Sequence, residues 1–294
     1  MNKVGFIGVG IMGKSMVRNL MKAGFELHIY ARTKSKVEDV ISEGAQFHES
    51  IKDCVQDCDA VITIVGFPQD VEEVYFDEGN ILDSAKEGAY LIDMTTTSPQ
   101  IAEKIYAEGT KRGFHVMDAP VTGGDTGAKA GTLSILVGGE KEDYEACMPL
   151  FEAMGTNINY QGKAGCGQHC KLANQIMIAG TLSGVCEALT YAKEQGLDPE
   201  VFMESVATGA AGSKQLDTFG PKILKDDYAP GFFMKHFIKD MKLALIEANR
   251  KGLSLDVLSM VLANYEELEQ EGYGDLGTQA LMKFYDEEHR NTEE

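Results

Sequence analysis

Hydrophobic and polar positions follow two rhythms along this chain. In its first half, short apolar runs stand between longer segments whose apolar positions recur every three or four residues. The short runs are Val4-Gly5-Phe6-Ile7, Glu26 to Tyr30, Ala60-Val61-Ile62-Thr63-Ile64, Tyr90-Leu91-Ile92, Val116-Met117 and a stretch near Asn157 to Tyr160, and each predicts a strand. Between them, apolar Met12, Met16, Val17, Leu20 and Met21 predict one helix; others are expected near Val71 to Tyr75, from Pro99 to Arg112 and from Glu142 to Met154. Strand and helix in alternation predict an α/β fold with a doubly wound, mainly parallel sheet and helices on both faces.

After that the short runs stop. From Gly165 to Leu189, Leu172, Ile176, Ala179, Leu182, Cys186 and Leu189 recur at spacings of three and four, while Ile178, Val185, Ala188 and Ala192 cover the other faces. A helix apolar nearly all round is expected to be buried. Its length suits a membrane span, but Asn174, Gln175, Thr181, Ser183 and Glu187 interrupt it and no aromatic belt flanks it, so a central helix in a soluble protein is the reading. Gly196 stops it, Asp198-Pro199 caps and starts another, and amphipathic runs follow over His236 to Arg250, Asp256 to Glu271 and Thr278 to Phe284. Two domains are expected: residues 1–163, and an all-helical domain over 164–294 joined to the first by the long helix. The polar residues Asp286 to Glu294 read as a frayed end.

Composition narrows the function. A formal net charge of −19 argues against nucleic-acid binding and against sensing of anionic membranes, both of which need basic patches. Six cysteines, with Met1-Asn2-Lys3 running straight into a strand rather than a secretory leader, point to reduced thiols and a cytoplasmic location.

Candidate chemistry begins at Gly8-Val9-Gly10-Ile11-Met12-Gly13, a G-x-G-x-x-G turn between a strand and a helix, the setting of a Rossmann-type dinucleotide site. The first glycine allows the tight turn, the second lets backbone amides reach a pyrophosphate, and the third lets helix pack on strand. Gly8, Gly10, Ile11, Met12 and Gly13 are the expected cofactor contacts here. The second strand ends in Ala31-Arg32-Thr33, with Lys34 and Lys36 behind. No carboxylate in that stretch opposes a 2'-phosphate, while Arg32 can pair with it and Thr33 can hydrogen-bond to it, so NADP is expected over NAD, with Lys36 close by. The bland alternative is a solvated Arg32 and a Thr33 that caps the next helix. Further contacts are expected at the strand ends, from Val65, Phe67 and Pro68 and from Thr97.

Thr122-Gly123-Gly124, after Asp118-Ala119-Pro120-Val121, sets a hydroxyl beside paired glycines, a backbone that can present several amides to one carboxylate. At the start of the long helix Lys171 and Asn174 lie one turn apart on one side, so an ammonium and a carboxamide can converge on one molecule. Cys166, His169 and Cys170 share a helical face, but three ligands on one turn leave a zinc site incomplete, and no metal is expected. An acidified, oxidation-sensitive thiol is the alternative there.

The G-x-G-x-x-G turn, Asp118-Ala119-Pro120-Val121-Thr122-Gly123-Gly124, Gly165-x-Gly167-x-x-x-Lys171-x-x-Asn174 and Lys239-Asp240 together resemble the β-hydroxyacid dehydrogenase family, which includes 3-hydroxyisobutyrate dehydrogenase and tartronate semialdehyde reductase. The likeness runs in order from about Val4 to Phe284. It implies hydride transfer between NADP(H), or NAD(H), and a short β-hydroxyacid or its semialdehyde, with no metal. By the same resemblance Lys171 is the proton donor and acceptor, Asn174 a substrate ligand, Thr122-Gly123-Gly124 the carboxylate cradle, Lys239 a second-domain contact to cofactor and substrate, and the protein a homodimer or homotetramer. Thr122 replaces the usual serine, Met241 the usual leucine, Phe67 a more common aliphatic residue, and Ala31 a common asparagine or aspartate. Two other readings stand beside this one: reductive amination, as in the related imine reductases, which do not generally keep this lysine, and a non-catalytic NADP-binding scaffold.

Overall fold

The computed structural model describes residues 1–285, so the expectation for Asp286 to Glu294 lies outside the described residues. The chain divides into two compact units, Met1–Lys171 and Leu172–Glu294.

The first unit is built on a nine-stranded sheet. Its strands are β1 (Lys3–Ile7), β2 (Glu26–Tyr30), β3 (Gln46–His48), β4 (Ala60–Thr63), β5 (Tyr90–Asp93), β6 (His115–Asp118), β7 (Val121–Thr122), β8 (Leu133–Gly138) and β9 (Gly155–Gly162). The order is β3-β2-β1-β4-β5-β6-β8-β7, with β9 on β8. From β3 to β6 every pairing is parallel, whereas β8 runs antiparallel to β6 and β7 and parallel to β9. Helices α1 (Ile11–Lys22), α2 (Glu38–Ser42), α3 (Ile51–Val55), α4 (Pro68–Phe76), α5 (Ile81–Ser84), α6 (Pro99–Lys111), α7 (Gly124–Ala130), α8 (Lys141–Ala146) and α9 (Met148–Met154) connect them.

Successive strand residues feed two separate cores, one on each face. Ile62, Ile92 and Met117 enter one with Val4, Phe6 and Leu20, while Val61, Leu91 and Val116 enter the other with Val71 and Ile105. A strand buried on both faces has no polar side, which is why these runs read as continuous rather than alternating. The chain winds outward to β2 and β3, then returns past β1 to β4, so the carboxyl ends of β1 and β4 flank the point where strand order reverses.

The helix expected over Glu142 to Met154 is two helices, meeting at Cys147. Pro149, without an N–H and with a ring that crowds the preceding turn, favours a new helix start there.

In the second unit α10 (Cys166–Glu194), which begins in the first unit, is followed by α11 (Pro199–Ala207), α12 (Lys214–Ile223), α13 (Met234–Arg250) and α14 (Asp256–Gln270). Asp198 caps α11 by accepting from the N–H groups of Glu200 and Val201. The expected run from Thr278 is a 3-10 segment, Thr278–Tyr285. The sequence reading missed α12, whose interior Pro221 masks a start marked by Ser213 accepting from Leu216 N–H.

By length and composition α10 can cross a membrane. Here Leu172, Ala179, Leu182, Cys186 and Leu189 pack into a core with Phe237, Met241, Leu262 and Tyr265. Burial is not all round as expected, since Met177 is 73% and Tyr191 67% exposed.

Candidate active site

The G-x-G-x-x-G turn joins β1 to α1, and its glycines are there for three different reasons. Gly8 has φ +97°, and a Cβ on it would lie 2.1 Å from the Ile64 carbonyl oxygen. A Cβ on Gly13 would lie 2.2 Å from the Gly8 carbonyl oxygen. Around Gly10, by contrast, nothing lies within 4 Å of that position. Two glycines are thus demanded by the protein's own packing, while the third keeps a space open over the N-terminus of α1. That helix has no acidic residue in its first turn and no side-chain cap at Gly10, so its amide end suits an anion. Ile11 is exposed beside it and Met12 half-buried. The open cradle fits the pyrophosphate of a dinucleotide.

At the end of β2 Arg32, Thr33 and Lys36 are exposed. Thr33 precedes a 3-10 turn at Lys34–Lys36 but makes no side-chain cap bond. Arg32 Nη1 lies 3.2 Å from Asp70 Oδ1, and the other oxygen of Asp70 accepts from the Phe67 N–H at 2.9 Å. The absence of an opposing carboxylate, true of the stretch around Arg32, does not hold in space. Asp70, which caps α4 just after Phe67 and Pro68, stands against the guanidinium.

Between β5 and α6 the chain is held by a buried polar relay. Asp93 Oδ1 accepts from Thr63 Oγ1 at 2.8 Å and from Thr95 N–H at 3.1 Å, and Thr95 Oγ1 accepts from Val65 N–H at 3.0 Å. Complete burial pushes the Asp93 carboxyl up to about 6, the Thr95 and Thr63 hydrogen bonds offsetting only part of the desolvation. No hydrogen-bond partner among the described residues reaches Asp93 Oδ2 or the hydroxyl of fully buried Thr97.

The first turn of α10 is tied to these strand ends. Asp118, at the end of β6, accepts from the N–H groups of Gly165 and Gln168, each at 2.8 Å. Burial pushes its carboxyl up and those two N–H groups pull it back in part. A Cβ on Gly167 would lie 2.4 Å from the Leu136 carbonyl oxygen, so the G-x-G preceding Lys171 is what lets the helix approach β6 and β8 so closely. The fully buried Gln168 donates from Nε2 to the Thr95 carbonyl at 2.7 Å and accepts at Oε1 from Thr97 N–H at 3.0 Å. Neither Asp118 nor Gln168 stood out as functional in the sequence, and the only signal was a carboxylate at a strand end and an amide inside a helix start.

One turn on, Lys171 is 7% exposed rather than a solvated helix-end lysine. Thr122-Gly123-Gly124 follows β6 in the same unit: Gly123 and Gly124 are exposed, with φ +131° and +64°, and nothing lies within 4 Å of a Cβ built on Gly124. Among the described residues no group of His, Cys, Asp and Glu is placed to hold a metal. The acidified thiol is not found at Cys170, where burial raises the pKa despite the neighbouring Lys171.

In the second unit Asn174 Nδ2 donates to Gln175 Oε1 at 2.8 Å, and Gln175 Nε2 donates to Asp240 Oδ2 at 2.7 Å. Lys239 Nζ sits 3.0 Å from Asp240 Oδ1, off the line of a hydrogen bond, so that contact is ionic rather than directed. Its side chain is 12% exposed, unlike a lysine on a solvated face.

Residues 3–162 match the sequence family described as the NAD binding domain of 6-phosphogluconate dehydrogenase. Residues 165–285 match the NAD-binding family of NADP-dependent 3-hydroxyisobutyrate dehydrogenase. The chain is 45% identical to a probable 3-hydroxyisobutyrate dehydrogenase-like 1 of Arabidopsis thaliana, named as mitochondrial, over 95% of this chain and 84% of that protein. It is 37% identical to the 2-hydroxy-3-oxopropionate reductase of Escherichia coli over 86% of each. Among solved structures it is similar to a Mycobacterium tuberculosis 3-hydroxyisobutyrate dehydrogenase with L-serine, with a TM-score of 0.88, 26% identity, and coverage of 96% of this chain and 98% of that one.

Proposed function

The chain belongs to the β-hydroxyacid dehydrogenase family and is an NAD(P)-dependent hydroxyacid dehydrogenase; from that premise we propose that it interconverts a small carboxylate-bearing semialdehyde and its β-hydroxyacid, with NADP(H) preferred and Lys171 moving the proton. The observation that carries this is a buried lysine one turn before Asn174, on a helix whose first turn is fastened to the carboxyl edge of the sheet that bears the glycine turn.

When bound, the nicotinamide supplies the redox step, exchange of a hydride with the carbonyl carbon. Gly8, Gly10, Ile11, Met12 and Gly13 hold the pyrophosphate at the N-terminus of α1. Arg32, with Thr33 and Lys36, would take the 2'-phosphate after leaving Asp70, an exchange of one half-buried carboxylate for a doubly charged group. Val65, Phe67, Pro68 and Thr97 form the loops beside the nicotinamide. Thr122, Gly123 and Gly124 offer backbone amides to the substrate carboxylate. Lys171 donates a proton to the carbonyl oxygen as negative charge develops on it, and in oxidation takes the hydroxyl proton. Asn174 and Lys239 are the second unit's candidates for binding substrate and cofactor, the Asn174 carboxamide being turned by Gln175 and Asp240.

Among the described residues no disulfide joins any of the six cysteines, which supports a reducing, cytoplasmic setting. The apolar face that α10 leaves exposed supports association with a second copy.

The test is reduction of a panel of three- and four-carbon semialdehydes with NADPH and with NADH, beside fluorescence titration of each cofactor. Lys171→Ala should lower kcat by roughly two to four orders of magnitude while sparing NADPH binding, and Lys171→Arg should not restore turnover. Near-normal turnover by Lys171→Ala would remove the mechanism. A wild type that prefers NADH would remove the role given to Arg32.

A further inference from the structure

One turn before Lys171, the side-chain amide of Gln168 makes the two hydrogen bonds that a neighbouring strand would make, donating to the Thr95 carbonyl and accepting from the Thr97 N–H. Its own backbone N–H goes to Asp118. Gln168 is completely buried, and Thr95 and Thr97 are buried with it. The loop it grips continues into the polar relay through Asp93, Thr63 and Val65, so a single side chain couples the start of α10 to the ends of β4 and β5. Packing alone would not need an amide here. A glutamine with both ends used on one loop fixes the distance and the rotation of a helix turn relative to that loop, where an apolar residue of the same size would let it slide.

We propose that Gln168 is a positioning residue for the reaction: its amide sets the register of the first turns of α10 against the Thr95–Thr97 loop, and so holds Lys171 where its proton is delivered. The proposal rests on the reading of Lys171 as the proton donor. A helix turn that slides by an ångström carries the lysine out of line, which costs turnover more than it weakens cofactor affinity, because the pyrophosphate is held at the glycine turn and only the Thr97 edge of the cofactor site is shared.

Gln168→Glu separates this from a merely structural part. An ionised glutamate still accepts from Thr97 N–H, but sets an oxygen lone pair against the Thr95 carbonyl. A protonated one donates to that carbonyl and copies the glutamine. Because the position is buried, the variant's carboxyl should titrate within the assay range, above the ordinary carboxylate value. The ratio of variant to wild-type kcat should therefore be near one at about pH 6 and fall roughly 10- to 100-fold by about pH 8, with the Kd for NADPH changing by a much smaller factor. Gln168→Met, which can do neither, should lose a similar factor at every pH and recover nothing in acid. This second variant carries the test if the glutamate form does not fold at high pH.

In a Lys171→Ala background, Gln168→Glu should cost little more, since residues acting through one group are not additive. A pH-independent ratio for Gln168→Glu, near-wild-type kcat for Gln168→Met, or full additivity with Lys171→Ala would each overturn the proposal. Near-normal turnover by Lys171→Ala alone would instead remove the proton-donor reading, whatever the Gln168 variants do.

Discussion

Asp93 is a buried carboxyl whose unfolded and folded affinities for a proton differ, and the difference is a statement about stability. Its value rises from 3.8 to about 6 because desolvation outweighs the hydrogen bonds from Thr95 and Thr63. Between these two values the folded chain holds a proton that the unfolded chain has released, so folding stability falls as the pH rises through that window. Below it both states are protonated and nothing is lost. Asp93→Asn keeps an oxygen to accept from Thr63 and Thr95 but has no charge to desolvate. At pH 8 it should therefore be more stable than wild type by about 1–3 kcal/mol, and the gain should vanish near pH 4, as read by urea unfolding at the two pH values. A gain independent of pH would mean that the carboxyl is not the cause. Single residues of this kind are also where the sequence was least informative. Asp70, Asp118 and Gln168 act through partners 38, 47 and 71 positions away, and no local pattern marks an acid or an amide for that use. The glycine turn was legible because its spacing between one strand and one helix fixes the backbone geometry, whereas the role proposed for Lys171 came from the family resemblance and not from its spacing.

At the scale of elements, the strand–turn–helix of β1 and α1 shows why a local motif was readable and what it leaves out. The three glycines are identical in sequence, yet Gly8 and Gly13 face backbone oxygens about which no side chain can be fitted, whereas Gly10 faces open space at φ −86°, a conformation any residue adopts. Gly8→Ala and Gly13→Ala should impair folding, the former by at least the 1–3 kcal/mol or so of a strained backbone before any clash is counted. Gly10→Ala should fold with wild-type stability and lose roughly 10- to 100-fold in cofactor affinity, the worth of a lost charge-assisted hydrogen bond. Thermal melts and cofactor titration on the three variants decide this, and a Gly10→Ala protein that binds NADPH normally would show that the pyrophosphate does not approach there. Strands β1, β4, β5 and β6 were equally legible, since burial on both faces leaves an apolar run, whereas β7 and β8 were not read as strands. Short elements were not: α2, α3, α5 and β3 are too brief to show a period, and in α12 Pro221 breaks the pattern that Ser213 opens.

For the molecule as a whole, the sequence predicted the buried face of α10 but also predicted burial of its other face, because an apolar helix records that it will be covered without recording by what. In a single chain Met177 and Tyr191 on α10 remain exposed, as do Val257 and Met260 on α14, and a Cβ on Gly180 would meet the Val257 side chain at 3.6 Å, so the two helices are neighbours at that point. Large apolar side chains left exposed on neighbouring helices suit an interface, and the proposal that a second copy covers them gives them a use. Each copy carries a net charge of −19, so association brings like charges together and apolar burial must outweigh their repulsion. Two consequences follow that an unrelated partner would not share. The purified protein should be at least dimeric by light scattering at micromolar concentration, and its dissociation constant should fall as salt is raised, because screening weakens the repulsion and leaves the apolar term in place. Met177→Asp adds a charge to the exposed apolar face and should shift the population to monomer while leaving the melting of the isolated chain within about 0.5 kcal/mol of wild type, as for a surface substitution. Analytical ultracentrifugation of both proteins at low and high salt reads all of this, and a wild type that is monomeric at high salt would mean that α10 leaves that face uncovered.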